Sequence, residues 1–168
     1  AGHAWTWDGV RFRFLHPPPH FPYLANDSSC VLRIETLHGA ALLTGDIGQV
    51  IERDLLRRDP ASLRAKVVLV AHHGSTSSSD PGFVAATGAH WAPVSAGYGN
   101  RFKHPKPQVM DLWRHHGAGT PVTADSGALR LRIGQAGVVV QTERGRHRRL
   151  WDAADRHARA AQLSYPSE

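Results

Sequence analysis

The sequence predicts a mixed α/β domain of the α+β type, a sheet protein with two or three covering helices around one core. Three observations predict it. Val10, Phe12 and Phe14 alternate with Arg11 and Arg13 in the period-2 manner of a strand with one wet face. Two later stretches space their apolar residues as one helix face. Residues 66–71, Lys-Val-Val-Leu-Val-Ala, form a continuous run suited to a strand covered on both sides.

Each element follows from local chemistry. Trp5 to Trp7, an Asp8-Gly9 turn and Val10, Phe12 and Phe14 alternating with Arg11 and Arg13 read as a hairpin with one wet face. His16-Pro17-Pro18-Pro19-His20 breaks regular structure. After the polar turn at Asn26-Asp27-Ser28-Ser29, residues 30–37 form a strand, His38-Gly39 turns the chain, and residues 40–44 return. Ile47, Val50, Ile51, Leu55 and Leu56 then mark a helix that Asp59-Pro60 ends. Asp80 and Pro81 read as N-cap and first position of another helix. Residues 91–95 read as a further strand. Pro107 opens a helix whose buried side carries Val109, Met110, Leu112, Trp113 and His116, stopped by Gly117. Val122-Thr123, residues 129–133 and residues 138–142 are the last strands.

Composition narrows the function classes. Hydrophobic residues at 41% and charged residues at 20% of 168 are globular proportions, which exclude a mostly disordered or fibrous chain. No run approaches the ~20 apolar residues of a membrane helix. The start lacks the pattern of a secretory signal, and entry straight into a strand sets the expectation of a segment cut from a longer chain. One cysteine, Cys30, excludes an internal disulfide and a cysteine-rich zinc cluster. The net charge of +6 suits an anionic partner such as nucleic acid or phospholipid. Much of that charge is local: residues 143–159 carry Arg144, Arg146, Arg148, Arg149, Arg156 and Arg159 against Glu143, Asp152 and Asp155. The organisation is therefore a domain over residues 1–142 and a basic tail over 143–168. Twelve histidines direct attention to metal chemistry.

Three strand ends carry candidate chemistry. In Leu42-Leu43-Thr44-Gly45-Asp46 the carboxylate is either aimed into a cleft or caps the helix that starts at Ile47. In His72-His73-Gly74-Ser75 the imidazoles suit zinc or manganese, or are two polar loop residues. Successive side chains of a strand point to opposite faces, so both meet one ligand only where the strand has ended. His115-His116, the same dipeptide at a helix end, reads as packing and capping. In Phe102-Lys103-His104-Pro105, between Gly97-Tyr98-Gly99 and the next helix, Lys103 and His104 either contact a phosphate or are ordinary loop residues.

Six motifs occur in one order. They are Trp7-Asp8-Gly9-Val10 with Leu15-His16-Pro17; Asn26-Asp27-Ser28-Ser29-Cys30-Val31-Leu32; Leu42 through Asp46; Lys66 through Ser75; Ser95-Ala96-Gly97 through Asn100 with His104-Pro105; and Thr123 with Asp125, Gly127 and Ala128. On these residues, spanning 5–133, the chain resembles the metallo-β-lactamase superfamily. Within it, the resemblance is to the C-terminal domain of the ComEC/Rec2 DNA-uptake proteins of natural competence, represented here by that domain's C-terminal half.

The resemblance implies a partial αββα sandwich, with metals held in loops at one edge of two sheets. It implies two divalent ions, zinc or manganese, per intact site, with Asp46 bridging them and His73 binding the second. His72 would then be the neighbouring or phosphate-facing imidazole, and Asn26, Ser29, Lys103 and His104 phosphate or supporting contacts. The implied reaction is two-metal phosphodiester hydrolysis, with both ions stabilising phosphoryl oxygens. The departure is upstream: the superfamily's His-x-His-x-Asp-His motif is absent, and His3 is the only histidine before His16. The segment alone is accordingly expected to bind metal weakly, hydrolyse little and expose an apolar sheet face.

The expected function is the C-terminal part of a DNA nuclease domain. Its implied partners are DNA, the rest of the same domain and a membrane channel domain, and its implied location is the inner membrane through the parent protein. The alternatives are a non-catalytic DNA-binding or scaffolding module, predicting salt-sensitive binding through the basic tail, and a hydrolase of the same fold with another substrate.

Overall fold

The computed structural model describes residues 1–147; of the tail expected over 143–168, residues 148–168 lie outside the described residues. The architecture is α+β, with two sheets. Strands β1 (Ala4–Trp7), β2 (Val10–His16), β3 (Val31–Thr36), β4 (Gly39–Leu43) and β5 (Val67–Val68) form one sheet in that order. β1 to β4 are antiparallel, and β5 joins β4 in parallel. Strands β6 (Leu129–Gly134) and β7 (Gly137–Thr142) form a separate antiparallel pair. The helices are α1 (Gln49–Arg58), α2 (Pro81–Thr87), α3 (Pro107–His115) and the single turns α4 (Thr123–Ser126) and α5 (Glu143–Arg146).

Strand register divides the large sheet into two faces. Trp5 lies opposite Phe12, Phe12 opposite Ile34, and Ile34 opposite Ala41. Because side chains alternate, Val31, Ala40 and Leu42 take the other face, where they are buried in one core with Ile51 and Leu55 of α1, Phe83 and Val84 of α2, and Val109, Met110 and Trp113 of α3. The aromatic face is only half-covered: Trp5 stacks on Phe12 at 5.0 Å, and Trp7 is 73% exposed. Leu129, Leu131 and Ile133 of β6 approach Ala41, Leu43, Val67 and Leu69 across a cavity of about 330 Å³. The face expected to be wet instead meets polar chain: Arg33 donates to the carbonyls of Ser62 (2.8 Å) and Arg64 (2.6 Å), and Arg13 reaches Asp59 and Ser62.

Several elements differ from the sequence expectation. α1 begins at Gln49 with Gly48 as its N-cap, so Asp46 does not cap it. The run at 66–71 is a ladder only at Val67–Val68, yet it is hydrogen-bonded on both sides, to Ala40 and Leu42 on one and to Trp91 and Pro93 on the other. Residues 91–95 contribute only isolated parallel bridges at Trp91 and Val94, because Pro93 between them has no N–H to donate. Val122 makes one bridge, to Val94, but Thr123 turns into α4; its hydroxyl pairs with the N–H and carbonyl of Ala96. His116 is exposed rather than buried, since it is the C-cap and lies past the apolar stripe of α3. Among the described residues no helix is long and apolar enough to cross a membrane.

Candidate functional site

Three parallel extended segments, β4, residues 66–70 and residues 91–94, end at one edge of the sheet. Such an edge, where successive chain ends diverge, is where open α/β sheets place their ligands. The loop after β4 carries Asp46, the next turn carries His72 and His73, and the third loop carries Asn100, Phe102 and His104. These six residues, with Ala96, line one cavity of about 340 Å³.

The histidine turn explains how two adjacent imidazoles share a cavity. The strand has ended, and His72 (φ 50°) and His73 (φ 55°) are both left-handed, a conformation that costs a non-glycine residue about 1–3 kcal/mol. Two contacts fasten the turn. The His72 N–H donates to the Gly45 carbonyl at 3.0 Å, and Gly74, also at positive φ, leaves no room for a side chain: a Cβ there would lie 2.5 Å from Cβ of Pro105.

The rings are held differently. His73 Nδ1 lies 2.7 Å from the Ser95 carbonyl, which only accepts, so that nitrogen carries the proton. Its Nε2 therefore faces Asp46 Oδ1, 3.5 Å away. His72 is occupied at both ends: Asn26 Nδ2 donates to its Nε2 at 3.1 Å, and its Nδ1 meets Ser77 Oγ at 3.1 Å. Burial first, and then the Lys106 ammonium, lower the His104 pKa, which favours its neutral form.

One imidazole nitrogen and one carboxylate oxygen facing each other match the donor set of zinc or manganese. The carbonyl behind His73 is the kind of support that fixes a ligand's tautomer. Asp46 and His73 thus fit two places in a metal shell. Among the described residues no third histidine, cysteine or carboxylate joins them in a group able to hold an ion.

The chain is 38% identical over 141 residues to Competence protein ComA of Neisseria gonorrhoeae, covering 84% of this chain and 20% of that protein. It is 32% identical over 123 residues to ComE operon protein 3 of Bacillus subtilis, covering 73% and 16%, and 30% identical over 148 residues to Recombination protein 2 of Haemophilus influenzae, covering 86% and 18%. This chain is a homologue of the ComEC/Rec2 competence proteins. It spans about a fifth of the length of these curated relatives. No family model matches it.

In this ComEC/Rec2 homologue the remaining sequence-predicted residues are spread around the cavity. Asn26 lies on a neighbouring cavity of about 580 Å³ that shares Asp46 and His72. Ser29 packs against Gly45, where an added Cβ would come within 2.8 Å of Ser29 Cβ, and it lines neither cavity. Lys103 lies on the outer side of its loop, on a third cavity shared with His104.

Other residues that build the site gave only weak signals in the sequence. Glu52 reads as polar-face helix filler, yet it is fully buried and accepts the N–H groups of Ser79 (2.9 Å) and Asp80 (2.6 Å), anchoring the segment after the histidine turn. Burial pushes its pKa up to about 7 against the pull of those two hydrogen bonds. His16, also fully buried, donates from Nε2 to the Asp27 carbonyl at 2.7 Å, and Asp27 Oδ1 accepts the Gly48 N–H at 2.8 Å. That relay fixes the loop carrying Asp46, with Asp27 meeting the start of α1 from another segment. The Asn100 side chain staples its loop through Gly97, through the His104 carbonyl (2.7 Å) and through the His104 N–H (2.9 Å).

Proposed function

We propose that this chain is part of a divalent-metal-dependent phosphodiester hydrolase domain acting on DNA, within a protein of DNA uptake in natural competence. Asp46 facing His73 Nε2 across 3.5 Å, inside a cavity shared with His72 and His104, carries this reading. Asp46 and His73 would hold the metal. When bound, the ions supply charge stabilisation at the phosphoryl oxygens and activation of water. The chain's own residues hold the geometry: the Ser95 carbonyl fixes the His73 tautomer, Asn26 and Ser77 fix the His72 ring, and neutral His104 offers a proton acceptor at the cavity wall.

Two ligands do not complete a catalytic site, so the missing ones come from other parts of the parent protein, and the chain by itself binds metal weakly. On this reading the two sheets are part of an αββα sandwich, and the parent lies in the inner membrane with a channel domain. The test is hydrolysis of DNA by the intact parent protein. Cleavage should require Mn²⁺ or Zn²⁺ and fall at least 100-fold in Asp46→Ala and His73→Ala. Cleavage by Asp46→Ala at the wild-type rate would overturn the assignment. Salt-sensitive DNA binding with no metal-dependent cleavage would favour a non-catalytic binding module instead.

A further inference from the structure

The loop between residues 95 and 107 supplies more than His104 to the cavity. Phe102, a large apolar side chain, is 60% exposed although it lines the same cavity as Asp46 and His73. Its edge-to-face contact with His104, at 5.8 Å between ring centres, ties the ring to the site. The loop is not loose: the three Asn100 side-chain hydrogen bonds and the Lys103 N–H to the Asn100 carbonyl (3.0 Å) fix its path.

Cations flank that ring. The Arg101 guanidinium lies 4.7 Å from the Phe102 ring centre and forms no salt bridge among the described residues. The Lys103 ammonium has no partner among them, and left-handed backbone (φ 54°) sets its side chain on the outer side of the loop. Arg101 and Lys103 line the outer cavity, of about 770 Å³, with Tyr98 and Arg114; Asp125 is the carboxylate in that lining. An exposed ring between free cations, next to a candidate phosphoryl site, matches one repeat of a nucleic-acid strand: a base to stack and phosphates to neutralise. A duplex keeps its base faces stacked inside and must unstack a base to use such a ring, so an unpaired strand is favoured.

We propose that Phe102 is a stacking platform for an unpaired nucleobase beside the Asp46–His73 cavity, with Arg101 and Lys103 on the flanking phosphates, so that the site selects single-stranded DNA. This rests on the phosphodiester reading above and adds the form of the substrate. Every nucleobase has a stackable face, so the platform is tolerant of sequence.

The test is fluorescence anisotropy of this chain with labelled oligothymidylate, an abasic strand of equal length and charge, and a duplex of equal length, all in chelator. Wild type should bind oligothymidylate roughly 5- to 100-fold more tightly than the abasic strand. Phe102→Ala should remove that preference and leave abasic-strand affinity and Tm unchanged, and Phe102→Trp should restore it. Arg101→Ala and Lys103→Ala should weaken both strands alike and flatten the salt dependence. Equal affinity of wild type for the two single strands, tighter binding of the duplex, or an equal loss for both in Phe102→Ala would overturn the proposal. Since the ratio is read without metal, an intact ratio in a parent protein that fails to cleave DNA counts against the hydrolase reading alone.

Discussion

The carboxylate of Glu52 on α1 accepts the backbone N–H of Ser79 at 2.9 Å, inside the core and 27 residues along the chain. This bond ties the first helix to the segment that leaves the histidine turn. It also buries an ionisable group, which makes stability depend on pH.

Burial raises the Glu52 pKa from 4.5 to about 7. A carboxyl with a raised folded pKa binds more protons folded than unfolded, so stability falls as pH rises through this window. The difference corresponds to roughly 3 kcal/mol between pH 4.5 and pH 7. His16 works in the opposite sense, because burial lowers its pKa and its protonation below about pH 6.5 opposes folding. The difference in urea unfolding free energy between wild type and Glu52→Gln isolates the first effect. It should slope with pH from about 4.5, through the folded pKa of about 7, and flatten above about pH 8.

Asp46 is predicted to contribute little to stability. Gly48 is the N-cap of α1, and its N–H is satisfied by Asp27. Asp46→Ala should therefore change unfolding free energy by less than about 0.5 kcal/mol, whereas Asp27→Ala should cost about 1 kcal/mol. A larger loss from Asp46→Ala than from Asp27→Ala in denaturant titration would restore the capping role.

Gly74 is predicted to be intolerant of any side chain. Positive φ and the 2.5 Å approach to Pro105 both oppose a Cβ, so Gly74→Ala should cost roughly 2–4 kcal/mol. Thermal unfolding should show a Tm drop well beyond that of Gly97→Ala, where an added Cβ meets nothing within 4 Å.

Asn100→Ala should free the loop without unfolding the domain. Amide hydrogen exchange at His104 should accelerate by one to two orders of magnitude, since its N–H loses the Asn100 Oδ1 acceptor. Exchange in the core at Leu42 and Val68 should be unchanged.

The chain order of strands and helices could be read from the sequence because period and punctuation are local properties. The Asp8-Gly9 hairpin turn, the Asp80 cap, which accepts the Gly82 and Phe83 N–H groups, and the α3 stripe of Val109, Met110 and Trp113 all rest on residues close together in the chain. So does the choice of Asp46 and of His72-His73, which follow apolar runs beside Gly45 and Gly74, and of His104, which precedes Pro105 in a glycine-rich loop.

What the sequence by itself determined was the class of fold and a short list of chemical groups. Tertiary structure alone decided which groups meet. His73 presents Nε2 to Asp46 because Ser95, 22 residues away, takes its other nitrogen, and the Nε2 of His72 is taken by Asn26, 46 residues away. Glu52, between apolar Ile51 and charged Arg53 in the chain, is buried because two amides of another segment close over it. Hydrogen bonds between distant segments leave no periodicity in the chain, so only the folded packing shows them.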